Sequence, residues 1–65
     1  MKKNKISEYR IKAGLTQRQL AAQVKITYQS LQRYESGIIC PSVTTAIDIA
    51  KALNTTVEEL YSNQP

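Results

Sequence analysis

The sequence predicts an all-α fold in which five short helices pack into one compact bundle. Apolar residues recur at intervals of three and four, which is the repeat of a helix with one buried face. Residues that cap helices precede most of these segments, and glycine or asparagine follows several of them. No segment alternates apolar and polar residues as a half-buried strand does. The core must therefore be built from helices alone.

The first helix is predicted to begin near Ile6. It is predicted to end at Gly14, because glycine suits the left-handed position that follows a helix. One face of this helix carries Ile6, Tyr9, Arg10 and Ala13.

Two further helices are predicted on either side of a tight turn. Thr16 and Gln19 form the pattern of a capping box at the start of the second helix. Thr27 is predicted to cap the third helix, and Gly37 to follow its last turn. Because so few residues remain between the two helices, their crossing must be steep, as in a helix-turn-helix. We expect the side chain of Ile26 to fill the gap between them.

The fourth helix is predicted to start after the cap Ser42 and to stop at Asn54. Thr56 and Glu59 form a second capping-box pattern before a short fifth helix. Residues 62–65 are polar and predicted to fray. The apolar face of the fourth helix is predicted to contain Val43, Ala46, Ile47, Ala50 and Leu53. The fifth helix is predicted to carry the apolar residues Val57, Leu60 and Tyr61.

The third helix has a polar side that carries no acid. At about 100° per residue, this side spans an arc of about 140° and contains Tyr28, Gln29, Gln32, Arg33 and Ser36. In the DNA major groove, glutamine pairs with adenine and arginine with guanine through two hydrogen bonds each. A merely solvated helix face is the alternative, but such faces usually mix Glu and Lys. The arc therefore favours a helix that reads DNA.

Charge is divided unevenly along the chain. Residues 1–33 carry eight basic side chains and one acidic side chain, a net charge of +7; residues 34–65 carry one basic and four acidic side chains, a net charge of −3. The basic half contains the predicted helix-turn-helix, where neutralisation of phosphates would release counterions. Some of its charge lies in a predicted loose basic arm at residues 1–4, extended by Lys5. This arm either contacts DNA or is only a solubility tail.

Composition and length argue against several other classes. The 65 residues predict one domain at 1–65 with a small core. The chain has one cysteine, Cys40, and no histidine, so we predict no metal site, no cysteine–histidine nucleophile and no cofactor. The acids are dispersed and form no catalytic constellation, so we predict that the protein is not an enzyme. Without a signal peptide or a transmembrane run, we expect a cytoplasmic protein with no membrane contact.

Three runs of residues form a pattern that spans nearly the whole chain. They are Ile6…Arg10…Gly14-Leu15-Thr16-Gln17…Leu20-Ala21, Ile26-Thr27…Leu31…Tyr34-Glu35…Gly37 and Pro41-Ser42…Ala50…Leu53…Leu60. This pattern resembles that of the Cro/cI-like helix-turn-helix repressors of the xenobiotic-response-element type. The resemblance implies a compact five-helix bundle of the phage-repressor DNA-binding-domain type.

The resemblance also implies roles for single residues. Gln17 would open the second helix, bond a phosphate and brace the start of the third. Arg10 and Glu35 would form a buried ion pair between the first and third helices, since Glu35 lies on the inward side of its helix. The residues expected to reach base edges are Tyr28, Gln29, Gln32 and Arg33, with a thymine methyl or a phosphate as the partner of Tyr28. Contacts to the DNA backbone are expected from Gln17, Arg18, Lys25, Thr27, Ser30 and Ser36.

Two segments depart from the family pattern. Lys25 stands where the family usually has glycine, and a positive φ there would cost about 1 kcal/mol. Either the turn has another shape or this strain is tolerated. Residues 38–40, Ile-Ile-Cys, replace a loop that is often basic in relatives, so we expect no phosphate contact from their side chains. The two isoleucines either fill the core or form an exposed patch that joins subunits.

These observations predict a sequence-specific, double-stranded-DNA-binding transcriptional regulator, a repressor that binds an inverted-repeat operator as a homodimer. Control would come from dimer concentration, an antagonist protein or expression level. The alternative is a protein-interaction module of the same fold, an antitoxin or antirepressor. The candidates for the dimer interface are Ile38, Ile39, Cys40, Leu60 and Tyr61.

Overall fold

The computed structural model describes residues 4–62 and confirms the all-α fold with five helices. The helices are α1 (Ile6–Lys12), α2 (Gln17–Gln23), α3 (Tyr28–Ser36), α4 (Val43–Ala52) and α5 (Val57–Leu60). No strand occurs within this range. None of these helices is long and apolar enough to cross a membrane.

Hydroxyl side chains begin four of the helices, as the sequence predicts. Thr16 and Gln19 form a complete capping box, with reciprocal hydrogen bonds of 3.0 and 2.8 Å. Thr56 accepts the backbone N–H of Glu59 at 3.1 Å, but the Glu59 carboxylate does not complete the predicted second box. It accepts the hydroxyl of Tyr9 instead, at 3.2 Å, and thereby links α5 to α1. The tertiary contact has replaced the local one.

The core is a single cluster to which every helix contributes. Each helix supplies one large side chain with no exposed surface: Ile6, Leu20, Leu31, Ile49 and Leu60. Small residues, Ala21, Ala46 and Ala50, let the helices approach closely around these five. Ile26, in the turn between α2 and α3, packs against the same cluster, as predicted.

The predicted apolar face of α4 is confirmed for Ala46, Ala50 and Leu53 and wrong for Val43 and Ile47. Ile49 is fully buried, whereas Val43 and Ile47 are 76% and 40% exposed. Apolar residues of α4 cover an arc of roughly 160° on the helical wheel, which is wider than the surface that the core can cover. The half with Ile49 and Leu53 is buried, and the half with Val43 and Ile47 remains in solvent.

Two further predictions are corrected at the ends of the chain. Leu60, predicted as a dimer contact, is fully buried in the core. Asn4, predicted within a loose arm, is buried: its side chain accepts the backbone N–H of Ile6 and donates to the carbonyl of Tyr34 at 2.8 Å. The backbone N–H of Lys5 donates to the Leu60 carbonyl at 2.6 Å. The rest of the predicted arm and tail, residues 1–3 and 63–65, lies outside the described residues.

Candidate nucleic-acid interface

The turn between α2 and α3 sets the position of α3. Lys25 has a φ of +60°, the left-handed conformation that glycine usually supplies in relatives. The backbone N–H groups of Lys25 and Ile26 donate to the carbonyls of Ala22 and Ala21, at 3.3 and 3.0 Å. The turn therefore keeps the left-handed shape and tolerates the strain of a lysine.

The inward side of α3 is fixed by packing and by an ion pair. Leu31 is fully buried, Tyr34 is half-buried against the core, and Glu35 is buried. The Nε atom of Arg10 lies 2.7 Å from a Glu35 carboxylate oxygen, and the two side chains are 14% and 8% exposed. The guanidinium also donates to the Leu15 carbonyl at 2.8 Å. This pair joins α1 to α3.

Gln17 completes this network. Its side-chain amide donates to the second carboxylate oxygen of Glu35 at 2.9 Å. The contact lies near the end of α3, whereas the family resemblance implies a brace at its start. Both oxygens of Glu35 are thus occupied, and within residues 4–62 every buried side-chain nitrogen or oxygen has a partner.

The outward side of α3 carries the predicted base-contacting residues. Gln29, Gln32 and Arg33 are exposed, and Tyr28 is half-buried at the start of the helix. Neither Gln29 nor Arg33 uses its side chain in a hydrogen bond to another residue of the 4–62 range. The residues that line one shallow groove along this surface are Ser7, Gln17, Gln29, Gln32, Arg33, Glu35, Ser36 and Ile38.

Tyr28 contacts Gln32 of its own helix and Arg18 of α2. The Gln32 amide nitrogen donates to the Tyr28 hydroxyl at 2.9 Å. The guanidinium carbon of Arg18 lies 4.3 Å from the centre of the Tyr28 ring, within the range of a cation–π contact. Arg18, which the sequence predicts to contact the DNA backbone, thus lies against a residue of α3.

The three hydroxyl residues predicted to contact the DNA backbone differ in whether their hydroxyl hydrogen is already donated within the protein. Thr27 caps α3: its oxygen accepts the Ser30 backbone N–H at 3.1 Å, and its hydroxyl donates to the Ser30 oxygen at 2.8 Å. Ser36 donates its hydroxyl to the Arg33 carbonyl at 3.1 Å. Of these three residues, Ser30 is therefore the one that can donate its hydroxyl hydrogen to a phosphate without breaking a hydrogen bond within the protein. Lys25 is exposed in the turn beside them.

The predicted dimer residues are divided by the fold. Ile38, 72% exposed, lines the groove along α3, and Ile39 is exposed in the loop. Cys40 and Tyr61 lie together in a second groove between α4 and α5. We call this the α4–α5 groove; its other lining residues are Pro41, Val43, Ala46, Ile47 and Val57. Among the described residues, none of those that line this groove carries a charge at neutral pH.

Tyr61 is half-buried at the end of α5, where it packs against the core. Burial raises the pKa of its hydroxyl, and the neighbouring Cys40 and Tyr34 raise that pKa further.

Sequence reasoning missed two features of these surfaces. The bond between Tyr28 and Gln32 could have been expected, because residues four apart lie side by side on a helix. The exposure of Val43 could not have been expected, because an apolar residue of an amphipathic helix is predicted to be buried unless the rotation of the helix is known.

The chain matches known proteins along most of its length. Residues 6–60 match the family model described as helix-turn-helix. The chain is 34% identical over 59 residues to an uncharacterised HTH-type transcriptional regulator of Archaeoglobus fulgidus, covering 91% of this chain and 84% of that protein. It is also 34% identical over 59 residues to the uncharacterised HTH-type transcriptional regulator YgzD of Bacillus subtilis, covering 91% and 89%. The chain therefore belongs to the helix-turn-helix family of DNA-binding transcriptional regulators, with the Cro/cI-type fold.

Proposed function

We propose that this regulator is a repressor that binds an inverted-repeat operator as a homodimer and reads it with α3. The observation that carries this proposal is the outward side of α3. It presents amide, guanidinium and hydroxyl groups with no acid among them, and the side chains of Gln29 and Arg33 make no hydrogen bond within residues 4–62. The one acidic residue of α3, Glu35, lies on the inward side. It is buried, and both of its carboxylate oxygens are hydrogen-bonded, so it does not repel phosphate from the outward side.

In this mechanism, base reading and phosphate binding fall to different residues. Gln29, Gln32 and Arg33 contact base edges in the major groove, where each well-placed pair contributes about 1–3 kcal/mol of discrimination. Phosphates are bound around them by Arg18, Lys25 and the Ser30 hydroxyl. The net charge of +7 in residues 1–33 supplies the attraction that is independent of sequence.

The direct test is selection of binding sites from random double-stranded DNA, followed by titration. The selected duplex and a scrambled duplex are each titrated at several salt concentrations. We expect the selected sequence to be an inverted repeat and its affinity to fall steeply with salt. If the protein binds neither duplex even at low salt, the regulator role is overturned in favour of a protein-interaction module.

A dimer is proposed because one recognition helix reads only a few base pairs. Two half-sites would then lie about one DNA turn apart, roughly 34–36 Å. The α4–α5 groove is the surface we assign to the second copy. A two-fold axis brings identical surfaces together, so like charges would oppose one another; this groove is apolar and uncharged. Pairing there also leaves the basic residues 1–33 free for DNA.

Cys40 makes this interface testable, because it is the one cysteine of the chain and it is exposed beside the groove. We expect a short bifunctional maleimide to produce a covalent dimer, and analytical ultracentrifugation to show a dimer at micromolar concentration or on DNA. A strict one-to-one complex with the footprint of a single half-site would overturn the homodimer.

A further inference from the structure

We propose that Tyr28 is a positioning residue: its hydroxyl orients Gln32 toward a base edge while its ring holds Arg18 toward a phosphate. This inference rests on the proposed reading of DNA by α3. It differs from the direct thymine or phosphate contact expected for Tyr28 from the sequence, since one face of the ring is covered by Arg18 and the hydroxyl is engaged by Gln32.

The hydrogen bond to Tyr28 restrains Gln32 without consuming its capacity to read a base. The amide nitrogen has two hydrogens, one of which is donated to the Tyr28 hydroxyl at 2.9 Å. The second hydrogen and both lone pairs of the carbonyl oxygen remain, and these are the groups that pair with adenine N7 and N6. A glutamine that is already oriented loses less side-chain freedom on binding, which favours affinity by about three- to tenfold.

The ring of Tyr28 is itself held in place. It is half-buried where α3 begins, and the guanidinium carbon of Arg18, from α2, lies over the ring at 4.3 Å from its centre. Arg18 donates none of its N–H groups to a hydrogen bond within residues 4–62. Arg18 therefore remains able to bind a phosphate while it fixes the ring.

Gln29 and Arg33 provide the contrast within the same surface. Both are exposed, and neither side chain is hydrogen-bonded to another described residue, so both can adapt to the bases they meet. The base preference at the Gln32 position should thus depend on a residue that does not touch that base. No such dependence is expected for Gln29.

The test is a double-mutant cycle of Tyr28→Phe and Gln32→Ala, measured on the duplex that the wild-type protein selects from random DNA. Each base pair of one half-site is varied in turn. We expect Tyr28→Phe to reduce discrimination three- to tenfold at the base pair that Gln32→Ala also affects, and to have no further effect in the Gln32→Ala background. Additive losses, or an equal loss on all duplexes, would overturn the proposal by making the hydroxyl a DNA contact.

Matched variants separate positioning from charge. Arg18→Lys keeps the positive charge but removes the planar stack, so we expect the salt slope to be retained while discrimination at the Gln32 position falls. Gln29→Ala is the control for the cycle, since its effect should add to that of Tyr28→Phe. Thermal unfolding of all variants shows whether any loss comes from the fold.

The free protein supplies a readout that does not depend on DNA. Nuclear magnetic resonance should show contacts between the Gln32 side-chain amide hydrogens and the Tyr28 ring, lost in Tyr28→Phe. Their absence in the wild-type protein would overturn the positioning role even if DNA binding is found. If they are present but no duplex binds, the DNA-reading function fails instead.

Discussion

The outward side of α3 and the α4–α5 groove are both exposed surfaces of amphipathic helices, yet they have opposite chemistry. The first is polar, without an acid, in the basic half of the chain. The second is apolar, without a charge, in the acidic half. Each helix buries its other side in the same core. The difference shows how a chain of 65 residues can keep one surface for a hydrated, charged partner and another for an apolar one.

The largest expected effect concerns the network that supports the polar surface. Glu35→Ala should destabilise the protein by about 3–5 kcal/mol, because Arg10 would remain largely buried without its partner. Chemical denaturation measures this, with Glu58→Ala as the control at an exposed glutamate. A loss below about 1 kcal/mol would mean that the pair behaves like a surface ion pair.

The next effect concerns reading by the polar surface. Gln29→Ala and Arg33→Ala should each weaken binding to the selected duplex by about 1–3 kcal/mol, with a smaller change on a scrambled duplex. Lys25→Ala is the control: it should weaken both duplexes alike and reduce the salt slope by about one unit. An unchanged ratio of the two affinities in the α3 variants would show that α3 is not the reader.

The apolar surface is tested by placing a charge in it. Val43→Glu should weaken the dimer at least tenfold, about 1.4 kcal/mol, because two like charges would meet across the two-fold axis. Ile11→Glu is a matched control, since Ile11 is an exposed apolar residue of α1. Sedimentation without DNA measures both. Equal dimerisation of the two variants would remove the α4–α5 groove from the interface.

Relief of strain in the turn should produce a smaller change. Lys25→Gly should raise stability by up to about 1 kcal/mol, since glycine adopts a φ of +60° without steric cost. Lys25→Ala removes the same charge but keeps the strain, so the two variants separate the effects in thermal unfolding. If alanine stabilises as much as glycine, the charge and not the backbone is responsible.

The smallest effect is a pH dependence in the α4–α5 groove. The pKa of Tyr61 is raised in the folded protein, chiefly by burial, above its usual value of 10.0. The unfolded chain therefore loses this proton first, and the contribution of Tyr61 to stability should decline as pH rises above about 10. Tyr61→Phe should show a shallower alkaline decline than Tyr9→Phe in denaturation at pH 9 to 11. Identical slopes would exclude this contribution.

Local signals in the sequence predicted the helices well, whereas the contacts between helices were predicted less well. Thr16, Thr27 and Gly37 act on backbone groups within a few residues, so their roles can be read directly. The rotation of α4 depends on which of two apolar halves the other helices cover, and the helix alone does not decide it. The same holds for Glu59, whose carboxylate bonds a residue of α1 in preference to its own backbone.

The candidate site shows the same division. Helical spacing predicted which residues lie on the outward arc of α3. That Gln29 and Arg33 contact DNA bases from this arc remains a prediction. The stack of Arg18 on Tyr28 joins two helices, so its geometry required the fold. The neighbours of Asn4 are lysines and predict a basic arm, yet its amide donates to the Tyr34 carbonyl, which only the folded chain brings near, and accepts the N–H of Ile6 two residues away.

The hydrogen bonds that join the first described residues to α5 bear on how the chain acquires its fold during synthesis. Lys5 bonds Leu60 through the backbone, and Tyr9 bonds Glu59 across 50 positions of sequence. Such distant pairings form late, because closing a long loop costs entropy before any contact rewards it. A nascent chain that ends before Leu60 lacks one of the five large core side chains and the hydrogen bonds that join α1 and Lys5 to α5. Folding should therefore be completed only after residue 60 has left the ribosome.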